Sequence, residues 1–215
     1  MHRTVVPAAC FVALMGWMLI GPKALADNDD AARIEFVDNK IVFELLGQVI
    51  NFPTPAPLGS SIQYGYLTRV RGMTSVFAAS PQNETTALLT FFNEVTTTQT
   101  NTNGPLLIPT RRNGTTTIYL NSATANFADP DSFRSGIPVL TSTLHQQAVV
   151  DTATGAFTAV FENTITWTAT FTIDGREFRL GRKGQAFRTT LTGHLNPAPP
   201  PFGYFAGYAV GAGRR

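Results

Sequence analysis

The sequence predicts an all-β chain: a single-domain antiparallel β-barrel, with a β-sandwich as the alternative. Three observations carry this. Apolar and polar residues alternate with period 2 in many short runs, glycine and asparagine turn signals punctuate those runs, and no stretch holds a 3.6-residue period over three turns.

The clearest run is NTITWTATFTIDG, residues 163–175. It places Ile165, Trp167, Ala169, Phe171 and Ile173 on one side and threonines on the other, and Asp174-Gly175 closes it as a hairpin signal. Soluble barrels and outer-membrane barrels both alternate in this way, so a second run has to decide which side meets water. In Thr85–Thr96 one side carries Ala87, Leu89, Phe91 and Val95, and the other carries Leu88 and Phe92 among Thr90 and Glu94. A membrane barrel keeps its lumen side polar strand after strand. A strand apolar on much of both faces therefore points to a soluble barrel, with the tryptophan side of 163–175 in the core and the threonine side in water.

The N-terminus is expected to be an export signal. It has a basic head (His2, Arg3), an apolar stretch from Val5 to Ile20, and Ala24-Leu25-Ala26 as an A-x-A cleavage site. Pro7 and the Gly21-Pro22-Lys23 end leave the stretch short of a transmembrane helix. Residues 1–26 are thus read as a signal peptide and 27–215 as one barrel domain, secreted or periplasmic after cleavage, with no membrane span in the mature chain. Cys10 lies in the leader, so disulfides contribute nothing to the mature domain. Arg3 and Lys23 also lie in the leader, leaving 14 Lys and Arg against 14 Asp and Glu. Zero net charge argues against nucleic acid and anionic membrane surfaces as partners.

Candidate strands follow in order: Arg33–Val37, Ile41–Ile50, Ile62–Val70, Ser75–Ala79, Thr85–Thr96, Thr115–Leu120, Leu144–Val150, Ala156–Phe161, Asn163–Ile173, Glu177–Leu180, Gln185–Leu191 and Phe202–Val210. Between them lie turn signals, among them Asp38-Asn39-Lys40, Asn103-Gly104, Asn113-Gly114, Ala153-Thr154-Gly155 and Gly181-Arg182-Lys183-Gly184. One short helical turn is expected around Asp129–Ser135, where Asp129-Pro130 suits a helix start. Proline stretches at Phe52–Pro57 and Asn196–Pro201 cannot sit within a sheet and are expected as stiff crossings. In the last strand Gly203, Phe205, Gly207, Ala209 and Gly211 form a nearly bare face, which suits a bent strand that closes a barrel by pairing with an early one.

The chemistry available is narrow. His145 and His194 are the only histidines of the mature chain, and no ligand spacing surrounds them, so no metal or cofactor is expected. No G-x-S-x-G elbow is present. Asn126, Asp129 and Asp131 lack the glycine and third acid of the common calcium loop and read as a turn. Arg176, Arg179, Arg182, Lys183 and Arg188 form a local basic cluster that suits a charged hairpin tip. Asn83-Glu84-Thr85 and Asn113-Gly114-Thr115 are glycosylation sequons.

With 16 Phe in the chain, a barrel of about eight strands has enough apolar lining for a small-ligand cavity. The leading expectation is an exported β-barrel that binds a small apolar or amphipathic ligand, with Phe91, Trp167, Phe171, Tyr204 and Tyr208 as candidate contacts. A second is a cofactor-free isomerase or cyclase using a buried carboxylate of raised pKa, for which Glu94 and Glu162 are the catalytic candidates. A third is a small outer-membrane barrel.

Overall fold

The computed structural model describes residues 31–52, 59–121, 124–196 and 202–214. The expected leader (residues 1–26) and the prolines of both crossings lie outside them. Among the described residues eleven strands form: β1 Ala32–Ile34, β2 Ile41–Phe52, β3 Ser60–Val70, β4 Leu89–Asn103, β5 Leu106–Leu120, β6 Ile137–Asp151, β7 Ala156–Thr168, β8 Thr170–Ile173, β9 Arg176–Leu180, β10 Gln185–Asn196 and β11 Phe202–Arg214. Eight of them close an antiparallel barrel in the order β10-β11-β2-β3-β4-β5-β6-β7, and β1, β9 and β8 form a separate small sheet. The barrel was the leading reading, and the sandwich alternative is excluded.

Closure occurs where the glycine-rich face suggested. β11 pairs with β10 on one side and with β2 on the other. Its bare face points inward: Gly203, Phe205, Ala209 and Gly211 are buried while Tyr204, Ala206 and Tyr208 are exposed. The short helical turn is a 3-10 helix, Pro130–Arg134, capped by the Asp129 side chain, which accepts from the Asp131 N–H.

The run 163–175 corrects the sequence reading. It is not one strand but two, belonging to different sheets. Ile165 pairs with Ser142 and Trp167 with Thr141, so Thr166 is an extra residue, and its Oγ1 donates to the Thr141 carbonyl at 3.1 Å. One inserted residue in a period-2 structure exchanges the two faces. Ile165 is buried inside the barrel, whereas Trp167 stands on the outer wall at 45% exposure. The chain then leaves the barrel, and β8 pairs with β9 through the turn at Asp174 and Gly175, both at positive φ.

The small sheet closes one end of the barrel. Ile34, Phe171, Ile173, Phe178 and Leu180 join the barrel core, and Phe36, just after β1, packs its ring at a tilt 5.0 Å from Phe187 and edge-on 6.2 Å from Phe43. Gln185 Nε2 holds that segment by donating to the Phe36 carbonyl at 3.1 Å.

A second apolar cluster explains why Thr85–Thr96 is apolar on both faces. Phe91 points into the barrel; Phe92 points out and is covered, with Tyr64 and Tyr66, by Phe127 and Phe133 of the segment between β5 and β6. Burial raises the pKa of both tyrosines above the ordinary phenol value. Two further expectations fail. Ser75–Ala79 makes only an isolated bridge, Phe77 to Ala87, and Asn113-Gly114 is not a turn but lies within β5. Gly114 is needed there for close approach, since a Cβ would strike the Glu94 carbonyl of β4.

Candidate ligand-binding cavity

The end of the barrel opposite the small sheet carries the Asn103-Gly104 and Thr152–Gly155 turns and the strand ends at Phe52, Ser60, Asn196 and Phe202. A cavity of about 490 Å³ enters the barrel from this end. That lies within the usual range for small-molecule sites, about 300–1,000 Å³.

Its lining divides by strand. Val49 of β2, Ala148 of β6, Phe157, Ala159 and Phe161 of β7, Leu191 of β10 and Phe205 of β11 make an apolar wall. Gln63 of β3, Thr97 of β4, Arg112 of β5 and Gln146 of β6 make a polar one. In the closed order β5 stands four strands from β11, so Arg112 and Phe205 belong to opposite sides of the barrel. Ala159 leaves room in the wall, and inward glycines let larger neighbours lie over them: Phe91 and Phe205 over Gly47, Phe157 over Gly193, Leu195 over Gly203 and Leu191 over Gly207.

The polar wall is cross-linked. Asn93 Nδ2 donates to Gln63 Oε1 at 3.2 Å, and Gln63 Nε2 donates to Gln146 Oε1 at 3.1 Å. Arg112 Nε donates to Thr97 Oγ1 at 3.0 Å and its Nη1 to Ser61 Oγ at 3.4 Å. Deeper in, Thr116 and Ser142 hydroxyls both donate to Asn163 Oδ1, at 3.1 and 3.2 Å. Asn93 Oδ1 and Asn163 Nδ2 are buried without a hydrogen-bond partner. Among the described residues no carboxylate pairs with Arg112, and burial lowers its pKa to about 10.

The floor is aromatic. The rings of Phe91 and Phe205 lie 6.3 Å apart, and both end over Gly47. Beneath them only about 20 Å³ of space remains, among Phe43, Leu67, Phe91, Phe161 and Phe187. The barrel is therefore a cup, open above and filled below.

The sequence-stated candidates fall mostly elsewhere. Phe91 is inside the barrel, beneath the cavity, and does not itself line it. Phe171 is buried against Phe178 in the small sheet, 6.0 Å between rings, outside the cavity. Trp167, Tyr204 and Tyr208 stand on the outer wall, Tyr204 at 61% exposure and stacked on His194. Glu94 and Glu162 also point outward and are paired with Arg134 and Arg188, at 3.3 and 3.2 Å. No Asp or Glu is among the described residues lining the cavity. His145 is exposed and bonded to Asn113 Oδ1 at 2.9 Å. Among the described residues no three His, Cys, Asp or Glu come together as a metal site.

The lining residues missed from sequence were Arg112, Gln63, Gln146, Phe157 and Phe161. Reading Asn113-Gly114 as a turn removed Arg112 from any strand. Phe205 was missed as well: Tyr204 and Tyr208 were the contacts expected from β11, and the strand turns its other face inward.

No protein-family model matches the chain, no curated protein matches it, and no solved structure matches it.

Proposed function

We propose that this protein is an exported binding protein that takes a small, largely apolar molecule into the open end of its barrel. One observation carries the reading: a cavity of about 490 Å³ with an aromatic and aliphatic wall, open at one end of a barrel whose other end is filled. A ligand hiding on the order of 200 Å² of apolar surface gains roughly 5 kcal/mol before ordering costs, which supports modest affinity. The reading of residues 1–26 as an export signal supports a location outside the cytoplasm.

The other two readings have less support. An isomerase acting through a raised-pKa carboxylate needs that carboxylate in the cavity, and Glu94 and Glu162 are on the outer wall. An outer-membrane barrel would set Glu44–Arg69 and Glu162–Arg188, ion pairs on the outer wall, against lipid.

The test is binding of N-phenyl-1-naphthylamine, a neutral apolar dye, to the purified chain. Its fluorescence should rise on binding, and Ala159→Trp, which fills the apolar wall, should abolish the rise while leaving the far-ultraviolet circular dichroism unchanged. Equal fluorescence with both proteins would place the dye elsewhere and defeat the proposal.

A further inference from the structure

We infer that the ligand is an apolar monocarboxylate whose head group is held by Arg112. The inference rests on the binding function proposed above and adds the chemical class of what is bound.

The arginines on the two sides of the barrel wall have different partners. Arg69, Arg134 and Arg188 stand on the outer wall, and each has a carboxylate partner, Glu44, Glu94 with Asp131, and Glu162. Arg112 points inward, and its side-chain partners among the described residues are the neutral hydroxyls of Thr97 and Ser61. An exposed cation without a carboxylate partner, such as Lys40 or Arg71, is solvated by water; Arg112, set in the wall of the cavity, has neither full solvation nor a counter-charge among the described residues. A cation removed from water without a counter-charge is costly, and an anion arriving in the cavity offsets that cost.

The geometry suits a carboxylate. A guanidinium has five N–H donors in a planar fork, and the two bonds to hydroxyls leave others for a bidentate acceptor. Gln146, the strand partner of Arg112, accepts from Gln63 through Oε1 and keeps its Nε2 as an additional donor on the same wall. Thr97 and Ser61 brace the guanidinium from the side, which fixes its plane. The apolar body then lies against Phe157, Phe161, Leu191 and Phe205 across the barrel. A single charge is matched because Arg112 is the only Lys or Arg among the described residues lining the cavity. A dianionic phosphate monoester would bring a second charge without a second cation.

The experiment compares dodecanoate, 1-dodecanol and dodecyl phosphate, each displacing N-phenyl-1-naphthylamine from the full chain at neutral pH and below micelle formation. Dodecanoate should bind at least about tenfold more tightly than dodecanol, the worth of a charged hydrogen bond. It should also bind more tightly than the phosphate. Arg112→Met should erase the preference for dodecanoate, weakening dodecanoate far more than it changes dodecanol, and raise the melting temperature of the ligand-free protein. Arg112→Lys, which keeps the charge and loses the fork, should retain part of the preference. Equal binding of dodecanoate and dodecanol to the unaltered protein, with dye binding intact, would overturn the carboxylate inference and leave the apolar cavity standing. A preference for the phosphate would also overturn it. Failure of every ligand and of the dye would overturn the binding function and this inference together.

Discussion

Gly47 of β2 and Gly65 of β3 face each other in register on the inner wall of the barrel. A Cβ on Gly65 would fall against the Leu46 carbonyl and the Gly47 Cα, and one on Gly47 would meet the Tyr64 carbonyl and the tips of Phe91 and Phe205. The pair lets two backbones approach closely and lets two aromatic rings settle over them as the floor of the cavity.

Gly65→Ala should therefore cost about 1–3 kcal/mol, as overpacking does. Denaturant melts measure it directly. Substitution within about 0.5 kcal/mol of the unaltered protein would mean that the wall yields and that the close approach is not required.

The bulge at Thr166 makes unequal demands on its neighbours. Ile165→Ala should cost about 2–5 kcal/mol as a core truncation, whereas Trp167→Ala should cost no more than about 1 kcal/mol as an outer-wall change. Tryptophan fluorescence should report the same arrangement, with Trp167 open to a soluble quencher. The opposite order of costs would place the tryptophan inside and remove the bulge.

Phe133 is fully buried although it lies on a 3-10 helix outside the barrel, 5.3 Å ring to ring from Tyr64 and 4.9 Å from Phe127. Phe133→Ala should cost about 3–5 kcal/mol. It should also speed hydrogen exchange of residues 124–135 more than of β7, because the covering segment loosens before the barrel wall. Uniform acceleration throughout would show that the segment and the barrel open as one unit.

Asp151 ends β6 at the mouth of the cavity. The Thr154 side chain, then the Ala153 and Thr154 N–H groups, hold its carboxyl below the ordinary aspartate pKa. A depressed carboxyl contributes stability that is fully present above its unfolded pKa and is lost as pH falls through the folded one, here below about pH 4. Carboxyl NMR titration should find Asp151 with a low midpoint, and Asp151→Asn should lessen the loss of stability over that acid range. A midpoint at the unperturbed value of about 3.9 would refute the turn's hold on it.

Several features follow from local chemistry alone, and these the sequence determined. Period-2 alternation makes strands wherever it is sustained, Asp174-Gly175 and Asn103-Gly104 turn because Asp174, Gly175 and Gly104 take positive φ, Asp129-Pro130 starts a short helix, and the glycines of Phe202–Val210 mark a strand that a neighbouring backbone approaches closely. Tertiary structure decided the rest, because period-2 alternation names two faces without saying which is inside, and one added residue exchanges them. The partner strand β6 makes Thr166 a bulge and so sends Trp167 outward. A covering segment more than thirty residues along the chain takes Phe92 out of water without placing it in the barrel. Arg112 acquires its role only when closure sets β5 across from β11, since the run Thr110-Arg111-Arg112-Asn113 gives no sign of which arginine faces inward or whether its charge will meet water, a carboxylate or a cavity.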